Sequence, residues 1–364
     1  MGTADDSGPE LAAWDVALRI GRETSRFGTP LDARTRRRLD ADFGEATARA
    51  EELVEATTGL HSTAGRARGL VVDRAGWVEA NVGSLRRLLA PAARALGESG
   101  TRGRTVLSPA ARVATGIEFG VLLTWMSAKV LGQYDLMPLD GDESGGFVYY
   151  VGPNIVALER RHGFPPREFR LWIALHEVTH RMQFTGVPWM REYFLGLVER
   201  GTSIGVPDMK AVLESLRRAA AEFWEGRDPL AESGVVGLLA SSEQLATLRE
   251  AQALMSLLEG HGEYVMSRAG SGEVAGAARF AAVLGARRQS AKGVAKFVQR
   301  ALGLEAKLRQ YSAGRRFIEA VEAAGGDALF SRVWESPEML PTVDEIGAPE
   351  RWIARAGGVV APST

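Results

Sequence analysis

Two histidines four residues apart, with a glutamate next to the first, stand out as the residues most able to do chemistry: His176-Glu177-Val178-Thr179-His180. Positions four apart lie on one face of a helix, so both imidazoles can reach one metal ion. Glu177 sits one step round, where it can contact a water on that ion rather than the ion itself. The surrounding residues 167–184 read as a strong helix, opened by Pro165-Pro166 and ended by Thr185-Gly186. Leu171, Trp172, Leu175 and Val178 make it a buried helix. The competing reading is a pair of hydrogen-bonding core histidines. Burying such a pair beside a glutamate without partners would be costly.

The composition narrows how a metal can be held. The 364 residues include no cysteine and five histidines, His61, His162, His176, His180 and His261. Disulfides, thiolate zinc sites, iron–sulfur clusters and cysteine nucleophiles are therefore excluded, and a transition metal must be bound by His and carboxylates. Catalytic zinc normally takes three protein ligands and a water. The third ligand is sought in Leu257-Leu-Glu-Gly-His-Gly-Glu-Tyr264, on a predicted helix downstream. Glu259 and Glu263 share a face of that helix, whereas His261 lies roughly 200° from Glu259, so the two cannot easily serve one ion from a regular helix. Glu259 is preferred as ligand, with Glu263 as a partner to a ligand imidazole. His261 stays open as the alternative ligand, a site-lining residue or a packed structural histidine. Gly260 and Gly262 each cost about 1 kcal/mol in a helix interior. Either another backbone or the metal helix approaches closely there, or the helix breaks. Gln183, three residues after His180, either orients a ligand or bonds to the backbone.

The elements that must position these groups are mostly helical. Helical spacing covers residues 10–26, 32–57, 77–96 and 109–131, then 190–199, 208–224, 241–269, 274–288, 291–302 and 305–324. Residues 59–69, 97–103 and 136–146 read as loops. Phe147-Val-Tyr-Tyr-Val151, between Gly146 and Gly152-Pro153, is the best strand. It is expected to form the sheet edge beside the metal helix. Arg34, Arg36, Arg37 and Arg38 cluster at the start of the second helix. Asp32, Asp40 and Asp42 interleave them, which favours a solvated face over a binding patch. Trp334 and Trp352 are expected packing anchors, and Trp172 and Trp189 are expected in the core. The fold class is predominantly α with a small β-sheet (α+β). An N-terminal helical lobe would span 1–140 and a core with a helical C-terminal lobe 141–364. Together they would form one compact unit, with the metal between an upstream and a downstream helical lobe.

Hydrophobic residues are 45% and charged residues 24%, ordinary for a soluble globular protein. A net charge of -1 favours neither nucleic acid nor a polybasic membrane role. The most apolar segment, 117–131, is too short to span a bilayer and carries Glu118 and Lys129. No secretory signal is visible, so a cytoplasmic location is expected.

These residues also resemble a known family. The stretch His176-Glu-Val-Thr-His-Arg-Met-Gln-Phe-Thr-Gly-Val-Pro-Trp189 is similar to the signature of zincin-like metallopeptidases found largely in actinobacteria. Members are described as hydrolases, or as proteins associated with biosynthesis of coenzyme F-420. Ala253-Leu-Met-Ser-Leu-Leu-Glu-Gly-His-Gly-Glu-Tyr-Val-Met266 resembles the family's second signature. Lys307-Leu-Arg-Gln-Tyr311 with Gly314 and Phe317, then Val333-Trp-Glu-Ser-Pro-Glu-Met-Leu-Pro341, resembles a third. Tyr149-Tyr-Val-Gly-Pro-Asn154 is similar to the strand before the metal helix. The resemblance implies a zincin fold and a Zn2+ site at His176 and His180, and no substrate.

The chemistry expected is metal-assisted hydrolysis, with Glu177 as general base and the substrate a peptide or a small amide. An extended peptide can pair with a strand edge through backbone hydrogen bonds. Tyr311 is the first candidate for a donor to the developing oxyanion, with His261 and Arg309 behind it. A zinc hydrolase of a small-molecule amide is the second reading. A non-catalytic zincin-fold metal-binding protein is the third, and Glu177 speaks against it because a merely structural site has no need of that residue.

Overall fold

In the computed structural model, residues 10–25, 31–100, 108–137, 146–202, 242–289 and 304–357 are described. Two compact units are present, Met1–Arg191 with Ala269–Gly276, and Glu192–Arg268 with Ala277–Thr364. The first unit runs past position 140 and holds the sheet together with the helix of the histidine pair. The predicted helices at 208–224 and 291–302 lie outside the described residues.

The first unit contains α1 (Trp14–Ser25), α2 (Ala33–Thr58), α3 (Arg74–Gly100), α4 (Pro109–Ser127), α5 (Gly152–His162) and α6 (Pro166–Gly186) around a small sheet. The class is α+β, as the helical periodicities and the lone convincing strand implied. Asp32 caps α2 by accepting the Thr35 N–H at 2.8 Å, and Gly59, with φ 67°, ends it in the left-handed conformation.

Three strands, β1 (Arg68–Val72), β2 (Gly132–Tyr134) and β3 (Phe147–Val151), form the sheet in the order β1-β3-β2. β1 runs parallel to β3, with Arg68 opposite Phe147 and Val72 opposite Val151. β2 runs antiparallel to β3, with Gly132 opposite Tyr150 and Tyr134 opposite Val148. Phe147–Val151 is therefore the central strand and not the edge. Its edge role falls to β2, which lies between the predicted helix 109–131 and the predicted loop 136–146, while α4 itself ends earlier, at Ser127. The cause is tertiary. Buried Asn154, in the first turn of α5, donates from Nδ2 to the carbonyls of Ser127 (2.7 Å) and Val130 (2.6 Å) and accepts from Arg74 Nε at 2.9 Å. The next carbonyl, Leu131, accepts the Val151 N–H at 2.8 Å. Backbone groups that would continue the helix are taken by another element, and the chain leaves α4 as a strand.

α6 packs chiefly on α2 and touches β2 and β3. Phe169, Ile173, Leu175, Val178 and Met182 are buried, each stabilising the fold by about 1.5–3 kcal/mol before entropy is counted. Two buried arginines lie on either side of the histidine pair. Arg170, 5% exposed, donates from Nε and Nη2 to the two oxygens of Glu159, both at 2.8 Å, and from Nη1 to Asp42 of α2. Arg181, 0% exposed, pairs with Glu51 of α2 at 2.9 Å and donates to the Gly65 carbonyl. Burial lowers the Arg181 pKa, opposed by the nearby Glu51. Thr63 completes the C-terminal end, its N–H (2.9 Å) and hydroxyl (2.7 Å) both donating to the Thr185 carbonyl.

The second unit contains most of α7 (Met190–Thr202) and α8 (Ser242–Ala269), then α9 (Ala277–Gln289), α10 (Leu304–Ser331), α11 (Val343–Gly347) and α12 (Pro349–Arg355). Its core joins Leu257 of α8 to Phe317, Ile318 and Val321 of α10 and Trp352 of α12. Trp352 is fully buried, meets Phe317 edge-on, and donates from Nε1 to the Met339 carbonyl at 2.7 Å. α8 stays helical through Gly260 and Gly262. A Cβ on Gly260 would run into the backbone of Gly314 and Arg315, and one on Gly314 into the Ser256 carbonyl. Of the reasons open for these glycines, close approach of another backbone holds at Gly260, and that backbone is α10. Tyr264 adds a polar link, donating to Glu322, beside which Arg268 also sits at 2.8 Å.

Two stability predictions follow from these contacts. Arg170→Leu leaves Glu159 and Asp42 facing one another in a buried place, and urea unfolding should show a loss of about 3–5 kcal/mol. Gly314→Ala forces α10 away from α8 and should cost about 1–3 kcal/mol or more by the same measurement; an unchanged midpoint would show that the two helices separate freely.

Candidate metal centre

The histidine pair stands on α6, and its geometry follows from helical pitch. His176 and His180 stand one turn apart on its less buried side, both half-buried, while Glu177, Val178 and Thr179 between them are buried. The two rings meet edge-on with centroids 4.6 Å apart, and their Nε2 atoms are 3.2 Å apart. Two nitrogens each about 2.0–2.1 Å from a tetrahedral ion would be about 3.3 Å apart, so the pair has the spacing of two ligands of one zinc.

The tautomer supports this. His180 Nδ1 lies 2.9 Å from Oε1 of Gln183, and Gln183 is fully buried. An amide oxygen only accepts, so Nδ1 carries the proton and the lone pair is left on Nε2, facing His176. Gln183 thus meets His180 through its side-chain oxygen, on the nitrogen that faces away from His176. Donor chemistry, spacing and tautomer all fit Zn2+.

Glu177 is buried and lies against the start of β2. A Cβ added at Gly132 would fall 2.6 Å from Glu177 Cγ and 2.8 Å from its Oε1. Tyr150, opposite Gly132 in the sheet, is buried and bonds through its hydroxyl to Thr47 at 2.8 Å. Burial pushes the Tyr150 phenol well above its ordinary pKa, and the Glu177 charge adds to the shift. Tyr134, at the other end of β2, stacks on Phe184 of α6 with centroids 6.1 Å apart. Its pKa is pushed up to about 12, mainly by burial.

The downstream block belongs to the second unit. Glu259 and Glu263 lie half-buried on one side of α8. His261 is buried, with its ring 5.4 Å from Phe330 and 5.2 Å from Trp334, centroid to centroid. Tyr311 and Arg309 fall within the backbone span of α10, but their side chains lie outside the described residues. Trp172 is half-buried and stacks on Phe169, and Trp189 is half-buried too. Sequence reasoning missed Gly132, Asn154, Arg170 and Arg181. The arginines carried a signal, because they lie about three turns apart on an otherwise buried helix. Gly132 carried none.

Gln183→Leu keeps the volume of the side chain but removes the acceptor for His180 Nδ1. Zinc affinity by competition with a chromophoric chelator should fall about 10–100-fold, with the melting temperature little changed. Equal affinity would mean that Gln183 does not orient the ligand.

A sequence model described as "Zincin-like metallopeptidase" matches residues 13–353. Among solved structures, a protein from Chloroflexus aurantiacus, provisionally described as a hydrolase with a novel fold, matches with TM-score 0.70 and 30% identity. The match covers 95% of this chain and 99% of that one. No curated protein matches. With the match running through every element that builds the histidine pair, the chain belongs to the zincin-like metallopeptidase family.

Proposed function

We propose that this protein is a zinc-dependent hydrolase of amide bonds, acting on peptides, with His176, His180 and Glu259 holding the ion and Glu177 as general base. The observation that carries the reading is the convergence of the two Nε2 atoms beside a buried glutamate. Family membership and the hydrolase description of the Chloroflexus protein agree with it. Glu259 is kept as the third ligand on the helix-face argument, since it and Glu263 lie half-buried on one side of α8. The packing of the His261 ring against Phe330 and Trp334 supports ranking that histidine behind Glu259 as a ligand.

A zinc ion bound there would supply Lewis acidity and an acidified water near neutral pH. The chain's own residues do the rest. Glu177 takes a proton from the attacking water at its carboxylate. The water oxygen bonds to the carbonyl carbon, the C–N bond breaks, and the proton passes to the departing amine. Gln183 holds His180 in the tautomer a ligand needs. Among the described residues β2 pairs with β3 alone, so its outer edge suits an extended peptide, which would bind through backbone hydrogen bonds. Tyr311 is assigned as the oxyanion donor, ahead of His261, whose ring is enclosed by aromatic neighbours. The link to coenzyme F-420 biosynthesis is a context implied by resemblance and names no activity. No described helix is long and apolar enough to cross a membrane.

Metal analysis and one kinetic comparison test the reading together. Wild type purified with zinc present should hold about one ion per chain. His176→Ala and Glu259→Ala should lose it and His261→Ala keep it. Glu177→Gln should keep the metal and lose at least about 100-fold in peptide cleavage. A metal-free wild type, or a Glu177→Gln variant as active as wild type, would overturn the proposal. Cleavage of small amides alone would change the substrate class.

A further inference from the structure

Glycine at position 132 has no conformational reason to be there. Its φ lies outside the left-handed region, unlike that of Gly59 or Gly146, so an L side chain would fit the backbone torsions. Space is what it lacks. A Cβ at 132 would lie 2.6 Å from Cγ, 2.8 Å from Oε1 and 2.9 Å from Cδ of Glu177. Contacts that close are essentially never made by real Cβ atoms. A side chain at 132 and the present place of the Glu177 carboxylate therefore exclude one another.

Neither backbone is free to yield. Gly132 is paired with Tyr150 across the sheet. The two carbonyls before it are held, Val130 by Asn154 and Leu131 by the Val151 N–H. On the other side, α6 is tied to α2 by Arg170 and Arg181. The atoms that would collide are the end of a flexible side chain, so strand and helix would stay and the carboxylate would move.

We propose that Gly132 is a positioning residue: the missing side chain at the start of the edge strand is the seat that holds the Glu177 carboxylate in its place against β2. This rests on Glu177 being the general base. It also means that β2 has two jobs, offering its outer edge to substrate and setting the place of the base.

The test is a melting-temperature cycle of wild type, Gly132→Ala, Glu177→Ala and the double variant. Gly132→Ala should lower the melting temperature of the wild type. In the Glu177→Ala background it should raise it, because alanine is less flexible than glycine in the unfolded chain and the space is now open. Shifts of about 1–3 °C in opposite directions are expected. Shifts of the same sign and size in both backgrounds would overturn the assignment. Cobalt loading gives a readout that strand stability alone does not move. Gly132→Ala should bind Co2+ as fully as wild type, yet show the visible spectrum of Glu177→Gln. A wild-type spectrum from Gly132→Ala would refute the positioning role. If wild type takes up no cobalt, the metal reading fails, and the melting cycle still decides whether Gly132 seats Glu177.

Discussion

α6 must keep the half-buried side that carries His176 and His180 in register with the sheet while most of its surface is buried, and two arginine–carboxylate networks meet that constraint. Arg170 joins Glu159 and Asp42 near one end, and Arg181 joins Glu51 and the Gly65 carbonyl near the other. Buried charges are strongly unfavourable unless paired, and their pairing geometry is demanding, so each network permits essentially one placement of α6 against α2. Apolar burial of Phe169, Ile173 and Met182 gives the helix much of its affinity for the core, but such packing is less directional.

The sheet transmits that placement to Glu177. Asn154 ends α4, frees the chain to form β2, and so brings Gly132 against the glutamate. A single buried amide side chain thereby takes up the carbonyls of Ser127 and Val130 where α4 ends. The second unit uses a different device. There a small-residue crossing at Gly260 and Gly314 lets α8 and α10 meet backbone to backbone, with the Tyr264–Glu322 contact nearby. Close approach of this kind leaves few alternative registers, and it holds the side of α8 that carries Glu259 and Glu263 at a set rotation about the helix axis.

Much of the fold was legible because helical periodicity is a local signal. The span 32–57 was read almost to the residue, and so were the central strand and α6 itself. The failures came where the backbone answers to a distant partner. β2 is only three residues long, β1 opens on Arg68-Gly69 in a stretch that reads as loop, and β3 could not be recognised as central without them. α4 was drawn too long because its apolar run continues into residues that Asn154 captures from elsewhere in the chain. At the site, Gln183 was noticed because it lies one turn from His180, within the reach of a local rule. Gly132 was not, because nothing in its neighbourhood announces which glutamate it will meet.

By itself, the sequence determined that two imidazoles and a carboxylate share one stretch of helix, since a four-residue spacing and a pitch of 3.6 residues leave no other arrangement. The absence of cysteine determined that any metal must be held by nitrogen and oxygen. Tertiary structure alone decided which strand is central, which glycine lies against Glu177, and why Gly260 persists in α8. Those outcomes depend on contacts between residues far apart in the chain, whose geometry is set by burial and by the pairing of buried polar groups, and no local pattern encodes them.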